Sequence, residues 1–365
     1  MRDDLLLCDP NDEAYQEQIL QGVSRTFALT IPVLPWPLSR VVSNAYLLCR
    51  IADTIEDAKD LPLSRKREFS EMFINVVSGK QPAQQFAERV SPVLSKDASD
   101  QEHDLVAHTA TVIRITHSFN SRQRAALETC VRIMAQGMTL YQEMDVSHGL
   151  KDQEDMDRYC YHVAGVVGTM LTELFCDHSR EIDKHREQLM QLAVSFGQGL
   201  QMTNILKDIW ADQQRKMCWL PVEVFRQYGA DLRILAPGTQ DESFARALGH
   251  LIGIARSHLA NALRYTLLIP PRETGIRRFC LWALGMAVLT LRKINSNRSY
   301  ESGRQIKISR RSVRATILVC NLFTRNDRIL RYLFNLTADA LPGKPLAGQF
   351  AAPGSDNRRE NTWIV

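Results

Sequence analysis

Tyr46, Arg50, Asp53 and Asp57 recur at three- or four-residue intervals in the stretch YLLCRIADTIED, residues 46–57. On a helix, at about 100° per residue, they fall within about 60° of one another, while Leu47, Leu48, Ile51, Ala52 and Ile55 take most of the remaining circumference. A solvated surface helix shows the reverse proportion, so the spacing predicts a helix packed on most sides with its carboxylates turned toward an internal cavity. Carboxylates withdrawn from water need a counter-charge, and a divalent cation supplies one. The pattern returns in residues 201–212, where Gln201, Asn204, Asp208 and Asp212 fall within about 80° of one another and are flanked by Met202, Ile205, Leu206, Ile209 and Trp210.

One DxxxD pattern alone reads as a solvated helix face. Two of them, each set in an apolar helix with further polar residues in register, read as a site. Magnesium takes carboxylate oxygens, keeps several waters and is usually completed by substrate phosphates. Two such helices facing across a cleft could therefore hold ions around a diphosphate and neutralise it as it leaves. Arg25, Arg50 and Lys207 lie beside the acidic stripes as cationic donors for phosphate, although each arginine by itself reads equally well as half of a structural salt bridge. Ionising an allylic diphosphate leaves a carbocation that water would quench, so the cleft must be long, apolar and closed. On the helix predicted over residues 157–175, Tyr159, Val163, Val166 and Met170 share one face and form such a wall, while Ala164, Gly165 and Gly168 allow close packing on the other. Tyr159 on its own reads as a core tyrosine with a satisfied hydroxyl.

The elements that must carry these residues are helical by pattern. Asp9 and Pro10 look like an N-cap and first helical residue, opening a helix through Ile19, Leu20 and Val23. Pro32, Pro35 and Pro37 delay the helix bearing the first stripe until after them. Further helices are predicted over residues 69–77, 105–117, 122–144, 186–212, 242–268, 279–291 and 312–338, with a polar stretch over 78–103. No strand alternation persists, and no repeat or linker divides the chain. The prediction is an all-α single domain over residues 1–340, followed by a disordered tail, 341–365. With 365 residues, 45% hydrophobic and 24% charged, the chain can bury a large core. A net charge of +4 is too small to imply nucleic acid. Eight cysteines without a CxxC pair, and no signal peptide, point to reduced thiols in the cytosol. The longest apolar run, 279–291, is shorter than the roughly 20 residues that span a bilayer.

The stretches VSRTFALTIPVLP, YLLCRIADTIED, MDRYCYHVAGVVGTMLTELF and GQGLQMTNILKDIWADQQRKMCWLP resemble, in this order, the motifs of the squalene and phytoene synthase family of head-to-head prenyl synthases. The resemblance runs from about residue 18 to 314 and implies the class I isoprenoid synthase fold, with helices around a central cavity. It implies magnesium held by Asp53 and Asp57 and by Asn204, Asp208 and Asp212, and the joining of two prenyl diphosphates through a cyclopropyl diphosphate. It also implies substrate contacts for Ser24, Arg25, Phe27, Tyr46, Arg50, Gln201 and Lys207. Tyr159 matches the tyrosine proposed to help remove the proton during cyclopropane formation. A phenol is a poor base in water, so the departed diphosphate stands as the alternative acceptor, with Tyr159 orienting or relaying.

The ending of the reaction rests on TLRKINSNRSYESGRQIKISRRSVR, residues 290–314, where residues 292–314 hold eight lysines and arginines against one acid, Glu301. Squalene synthases of the family finish with hydride from NADPH, and the resemblance assigns that cofactor to Asn295, Lys307, Arg310 and Arg311, since a 2′-phosphate suits such cations. A solvated basic loop or a contact with an anionic membrane fits the composition nearly as well. No GxGxxG opens a helix, so a dinucleotide site here is not of Rossmann type. The chain departs from the family pattern at Ala211, at Met217 (where Arg215 or Lys216 stands ready to replace an arginine) and at Ser309, next to Arg310.

The expected activity is the magnesium- and NADPH-dependent condensation of two farnesyl diphosphates to presqualene diphosphate and then squalene. The nearest rival stops at dehydrosqualene or makes phytoene, and a rival of another class is a helical protein that uses residues 292–314 on nucleic acid or a membrane. No nucleic-acid partner is expected. Because the product is a water-insoluble hydrocarbon, the expectation is a cytoplasmic enzyme touching the membrane face, with Ile317, Leu318 and Leu322 as contacts.

Overall fold

The computed structural model describes residues 10–24, 27–238 and 241–343. Asp9, Arg25 and the tail from 344 onward therefore lie outside the described residues. Helices α1 (Pro10–Val23), α2 (Trp36–Asp57), α3 (Leu63–Val77), α4 (Asp100–Ala107), α5 (Thr109–His117) and α6 (Ser121–Glu143) form most of a first compact unit, which also takes in residues 170–184 and 273–279. Its centre is α2. Pro37 stands in the first turn, where a missing N–H breaks no helical bond. From there α2 is wrapped by α1, α3, α4, α5 and α6, which bury Val41, Leu47, Leu48, Ile51 and Ile55. That enclosure is why the helix is apolar on most sides and polar only along one stripe.

The second unit comprises residues 146–169, 185–272 and 280–365. It contains α7 (Gln153–Cys160), a π turn (Tyr161–Gly165), the start of α8 (Val166–His178), α9 (Arg186–Gln214), α10 (Glu242–Leu268), most of α11 (Thr274–Ser296), α12 (Arg310–Phe323) and α13 (Asp327–Ala338). Its backbone is the long seam between α9 and α10. On its other side α9 meets the π turn and α8 backbone to backbone. A Cβ on Gly197 would come within 2.2 Å of the Ala164 carbonyl oxygen, and one on Gly168 within 2.2 Å of that of Ala193. The chain passes back and forth between the two units, so neither is a contiguous piece of sequence.

Several elements differ from the sequence expectation. The polar stretch 78–103 holds a helix, Ala83–Val90, and the start of α4, whose N-cap Ser99 forms a capping box with Glu102. The helix expected over 105–117 breaks at His108. The one expected over 157–175 is interrupted by the π turn, which rotates everything after it by on the order of 100° relative to an unbroken α-helix. Val166 and Met170 thus do not continue the face of Tyr159 in simple helical register. The last expected helix is two, separated at residues 324–326, with Asn326 capping α13 through a 3.1 Å bond from the Ile329 N–H. The run at 279–291 extends to the 23 residues of α11, long and apolar enough to cross a membrane, but 56% of that window is buried inside the fold and it reads as a core helix. Among the described residues there is no named strand, only an isolated bridge between Leu150 and Pro221, and the seven described cysteines are free thiols, most of them buried.

Candidate active site

The first stripe lies along α2 in the first unit. Tyr46, Arg50 and Asp53 are half-buried and Asp57 is exposed, while their helical neighbours are buried. Arg50 is gripped by Glu102 of α4, and its second terminal nitrogen stands 4.0 Å from Asp53 Oδ2. Its Nε is buried without an acceptor. Burial raises the Asp53 carboxyl to about 7 and the neighbouring charges of Asp57 and Glu102 push the same way, with Arg50 opposing. Glu56 is raised to about 8, first by burial and then by Asp53 and Asp57, against Lys66. Asp53 and Glu56, neighbours on one turn of the helix, therefore resist losing their protons together. A site of this kind attracts cations, and an unaccepted guanidinium N–H beside it is what an anion would complete. Among the described residues no three His, Cys, Asp or Glu side chains gather into a metal cage.

Ser24 and Phe27 join this stripe from the end of α1. The Phe27 N–H donates to Ser24 Oγ at 3.0 Å, the Phe27 and Tyr46 rings lie 5.3 Å apart, and Tyr46 Oη donates to the Val23 carbonyl at 3.1 Å. Burial raises the Tyr46 phenol, with a hydrogen bond from Ser24 partly offsetting it.

The second stripe lies along α9 in the second unit. Gln201, Asp208 and Asp212 are half-buried and Asn204 is exposed, whereas Met202, Ile205, Leu206, Ile209 and Trp210 are buried. Lys207 Nζ lies 3.0 Å from Asp208 Oδ2. At the end of α9 the Asp212 carbonyl accepts from the N–H groups of Arg215 (2.8 Å) and Met217 (3.0 Å), and the intervening Lys216 takes a left-handed conformation, φ 59°. That lysine is exposed, whereas Met217 is half-buried. Tyr159 is 7% exposed and stacks flat on Trp219 at 3.8 Å. Val166 and Met170 are buried, and Val163 is half-buried.

The basic segment is fastened to the second stripe. Tyr300 Oη donates to the Leu206 carbonyl, Trp210 Nε1 donates to the Tyr300 carbonyl at 2.5 Å, and a Cβ on Gly303 would stand 3.5 Å from Asp208 Oδ1. Lys307, Arg310 and Arg311 are exposed. Asn295 is spent within the fold: its amide nitrogen donates to the Ala340 carbonyl at 3.0 Å and its oxygen accepts from Arg298 at 3.1 and 2.6 Å.

Glu102, Trp219 and Tyr300 escaped the sequence reading. For Glu102 the S-x-x-E capping box at Ser99 was a local signal of a helix start, but its hold on Arg50 is a long-range contact that no local pattern encodes.

Comparisons with known proteins match the chain over most of its length. The chain is 28% identical to a squalene synthase of Gibberella zeae over 345 residues, covering 92% of this chain and 71% of the relative. It is 26% identical to the squalene synthase of Schizosaccharomyces pombe, covering 86% and 68%, and 26% identical to that of Homo sapiens, covering 78% and 64%. A ligand complex of TcSQS shares the fold at a TM-score of 0.71 and 22% identity, over 92% of this chain and 94% of that one. A dehydrosqualene synthase does so at 0.60 and 20%, over 86% and 96%. The helical architecture is thus that of the class I isoprenoid synthases, and with the squalene/phytoene synthase family model matching residues 20–312, the chain belongs to the squalene/phytoene synthase family.

Proposed function

We propose that the chain is a squalene synthase, joining two molecules of farnesyl diphosphate to presqualene diphosphate and reducing that intermediate to squalene with NADPH. The observation that carries the reading is the pair of acidic stripes, each kept open to solvent along a helix otherwise packed in the core. Asp53 and Asp57 on α2 and Asn204, Asp208 and Asp212 on α9 would hold magnesium, which when bound supplies positive charge to a leaving diphosphate.

Arg50 would bind a phosphate oxygen through its unaccepted Nε, held in place by Glu102. Ser24, Tyr46 and Gln201 would add neutral donors, and Lys207 and Arg25 further charge. Phe27 would cover the Tyr46 ring. Tyr159, pinned against Trp219, has little freedom to turn, which suits orienting a proton toward the departed diphosphate better than accepting it outright. Val163, Val166 and Met170 would exclude water from the carbocation. Lys307, Arg310 and Arg311 would grip the phosphates of NADPH, the hydride source when bound. Asn295 would act there by ordering the segment through Arg298 and the Ala340 carbonyl.

Incubation with farnesyl diphosphate and magnesium, with and without NADPH, tests this. Squalene is expected only with NADPH. Dehydrosqualene made regardless of NADPH would replace the reductive reading with the non-reductive one, and turnover unaffected by Asp208→Asn would overturn the site.

A further inference from the structure

The side of α9 turned away from the second stripe faces a separate cleft. On the helical wheel Gln188, Gln191 and Leu192 centre about 145° from Gln201, Asn204, Asp208 and Asp212, and Gln191 lies on the order of 25 Å up the helix axis from Asp208. Arg264, Leu267 and Leu268 at the end of α10, and Arg331 of α13 in the C-terminal helical hairpin, complete walls that enclose about 360 Å³, a volume in the range of small-molecule sites. These walls carry two guanidiniums, two carboxamides and no carboxylate. Both arginines are exposed, yet Arg264 is held in place. Its Nη1 donates to Asn261 Oδ1 at 3.3 Å, Asn261 Nδ2 donates to Ser195 Oγ at 3.0 Å, and that oxygen pairs with His258 Nδ1 at 2.8 Å, deep in the seam between α9 and α10. Among the described residues neither guanidinium has an acid partner, and Arg331 has no hydrogen-bond partner. Because α9 begins where α10 ends, their terminal dipoles are of opposite sign and cancel, so the guanidiniums set the local charge.

We infer that this cleft binds a small organic phosphate, a monoester with a short apolar chain, at a site separate from the acidic stripes. Two guanidinium forks match the charge and the oxygen geometry of a phosphomonoester dianion, and Gln188 and Gln191 add neutral donors. Leu192, Leu267 and Leu268, all half-buried, give the chain of the ester an apolar wall that inorganic phosphate would leave wet. A single carboxylate would leave one of the two cations without a counter-charge. Nucleic acid would need a longer run of cations than a cleft of this size offers. The protein supplies the positive charge itself, so binding here needs no metal, and the inference does not rest on the squalene synthase reading.

Titration calorimetry of the full chain in EDTA with geranyl phosphate is the test, with inorganic phosphate and geraniol as its separate halves. The ester should bind saturably, one per chain, and either half should bind at least about ten-fold more weakly. Arg331→Gln should weaken the ester on the order of ten-fold, and Arg264→Gln with Arg331→Gln on the order of a hundred-fold. Both side chains lie at the surface, so the circular dichroism of these variants should match the wild type. Leu192→Ser should weaken the ester about ten-fold and leave inorganic phosphate unchanged. Arg50→Gln, in the first acidic stripe, should leave the isotherm as it is in the wild type. Absence of saturable binding would overturn the inference, as would inorganic phosphate binding as tightly as the ester, which would leave an adventitious anion site only. Binding lost in Arg50→Gln but kept in Arg264→Gln with Arg331→Gln would overturn it too, since the ester would then sit at the acidic stripe.

Discussion

Asp53→Asn should make the metal-free protein more stable while removing its activity. A carboxyl held near 7 in place of 3.8 carries roughly 4 kcal/mol of unfavourable ionisation once the pH is well above both values. Because 39% of the Asp53 side chain remains open to solvent, screening cuts this to about 2 kcal/mol. The sign follows from proton binding. Between the unfolded value and about 7 the native state keeps a proton that the unfolded chain has released, so stability falls as pH rises through this window and stays low above it. Asparagine has the same shape and no charge to lose. The advantage of the variant should therefore be near zero at about pH 4 and grow to about 2 kcal/mol at about pH 8.

Urea unfolding in EDTA at both pH values measures the difference. A parallel series with magnesium and inorganic diphosphate should reverse it, because ligands that bind only the native state stabilise it and the variant lacks a carboxylate oxygen proposed to hold the metal. Turnover should drop on the order of a hundred-fold or more. A variant less stable than wild type in EDTA at the higher pH would refute the reasoning, since it would mean that Asp53 is satisfied by the protein alone.

Gly197→Ala puts a Cβ 2.2 Å from the Ala164 carbonyl oxygen and should destabilise by about 1–3 kcal/mol by urea midpoint, through separation of α9 from the π turn. His258, 4% exposed and bonded through Nδ1 to Ser195 Oγ at 2.8 Å, is lowered from 6.5 to about 4 by burial. The unfolded chain therefore takes up a proton first as pH falls, about 2–3 kcal/mol should be lost between about pH 7.5 and 4.5, and His258→Gln should flatten that slope. Lys216→Gly should gain about 1 kcal/mol, since glycine adopts the left-handed conformation freely. A rise in KM for farnesyl diphosphate in the same variant would show that the strain is retained for a phosphate contact.

What the sequence disclosed and what it hid divide along a physical line. The two stripes were legible because both their polar and apolar members follow the helical period, and burial in α2 and α9 repeats that division residue by residue. The caps were partly legible, and the helix from 242 to 268 has the bounds its pattern predicts. The π turn was not: Tyr161–Gly165 contains no proline, and its wider winding is fixed by the glycine-to-carbonyl approach of α9, a contact between residues about thirty apart in sequence. The hairpin break at residues 324–326 was written locally, as threonine, arginine and a capping asparagine, but apolar spacing on either side masks it. Glu102 and Tyr300 were hidden for the same reason as the π turn. Each acts on a distant backbone or side chain, Arg50 in one case and the Leu206 carbonyl in the other. The candidate site residues can be read from periodicity, therefore, while those that hold them in position belong to pairings made only when the chain folds. Glu102 separates the two kinds most sharply. Without its charge Arg50 would turn wholly to Asp53 4.0 Å away, and the guanidinium that should meet phosphate would instead close an ion pair with the carboxylate that should meet metal.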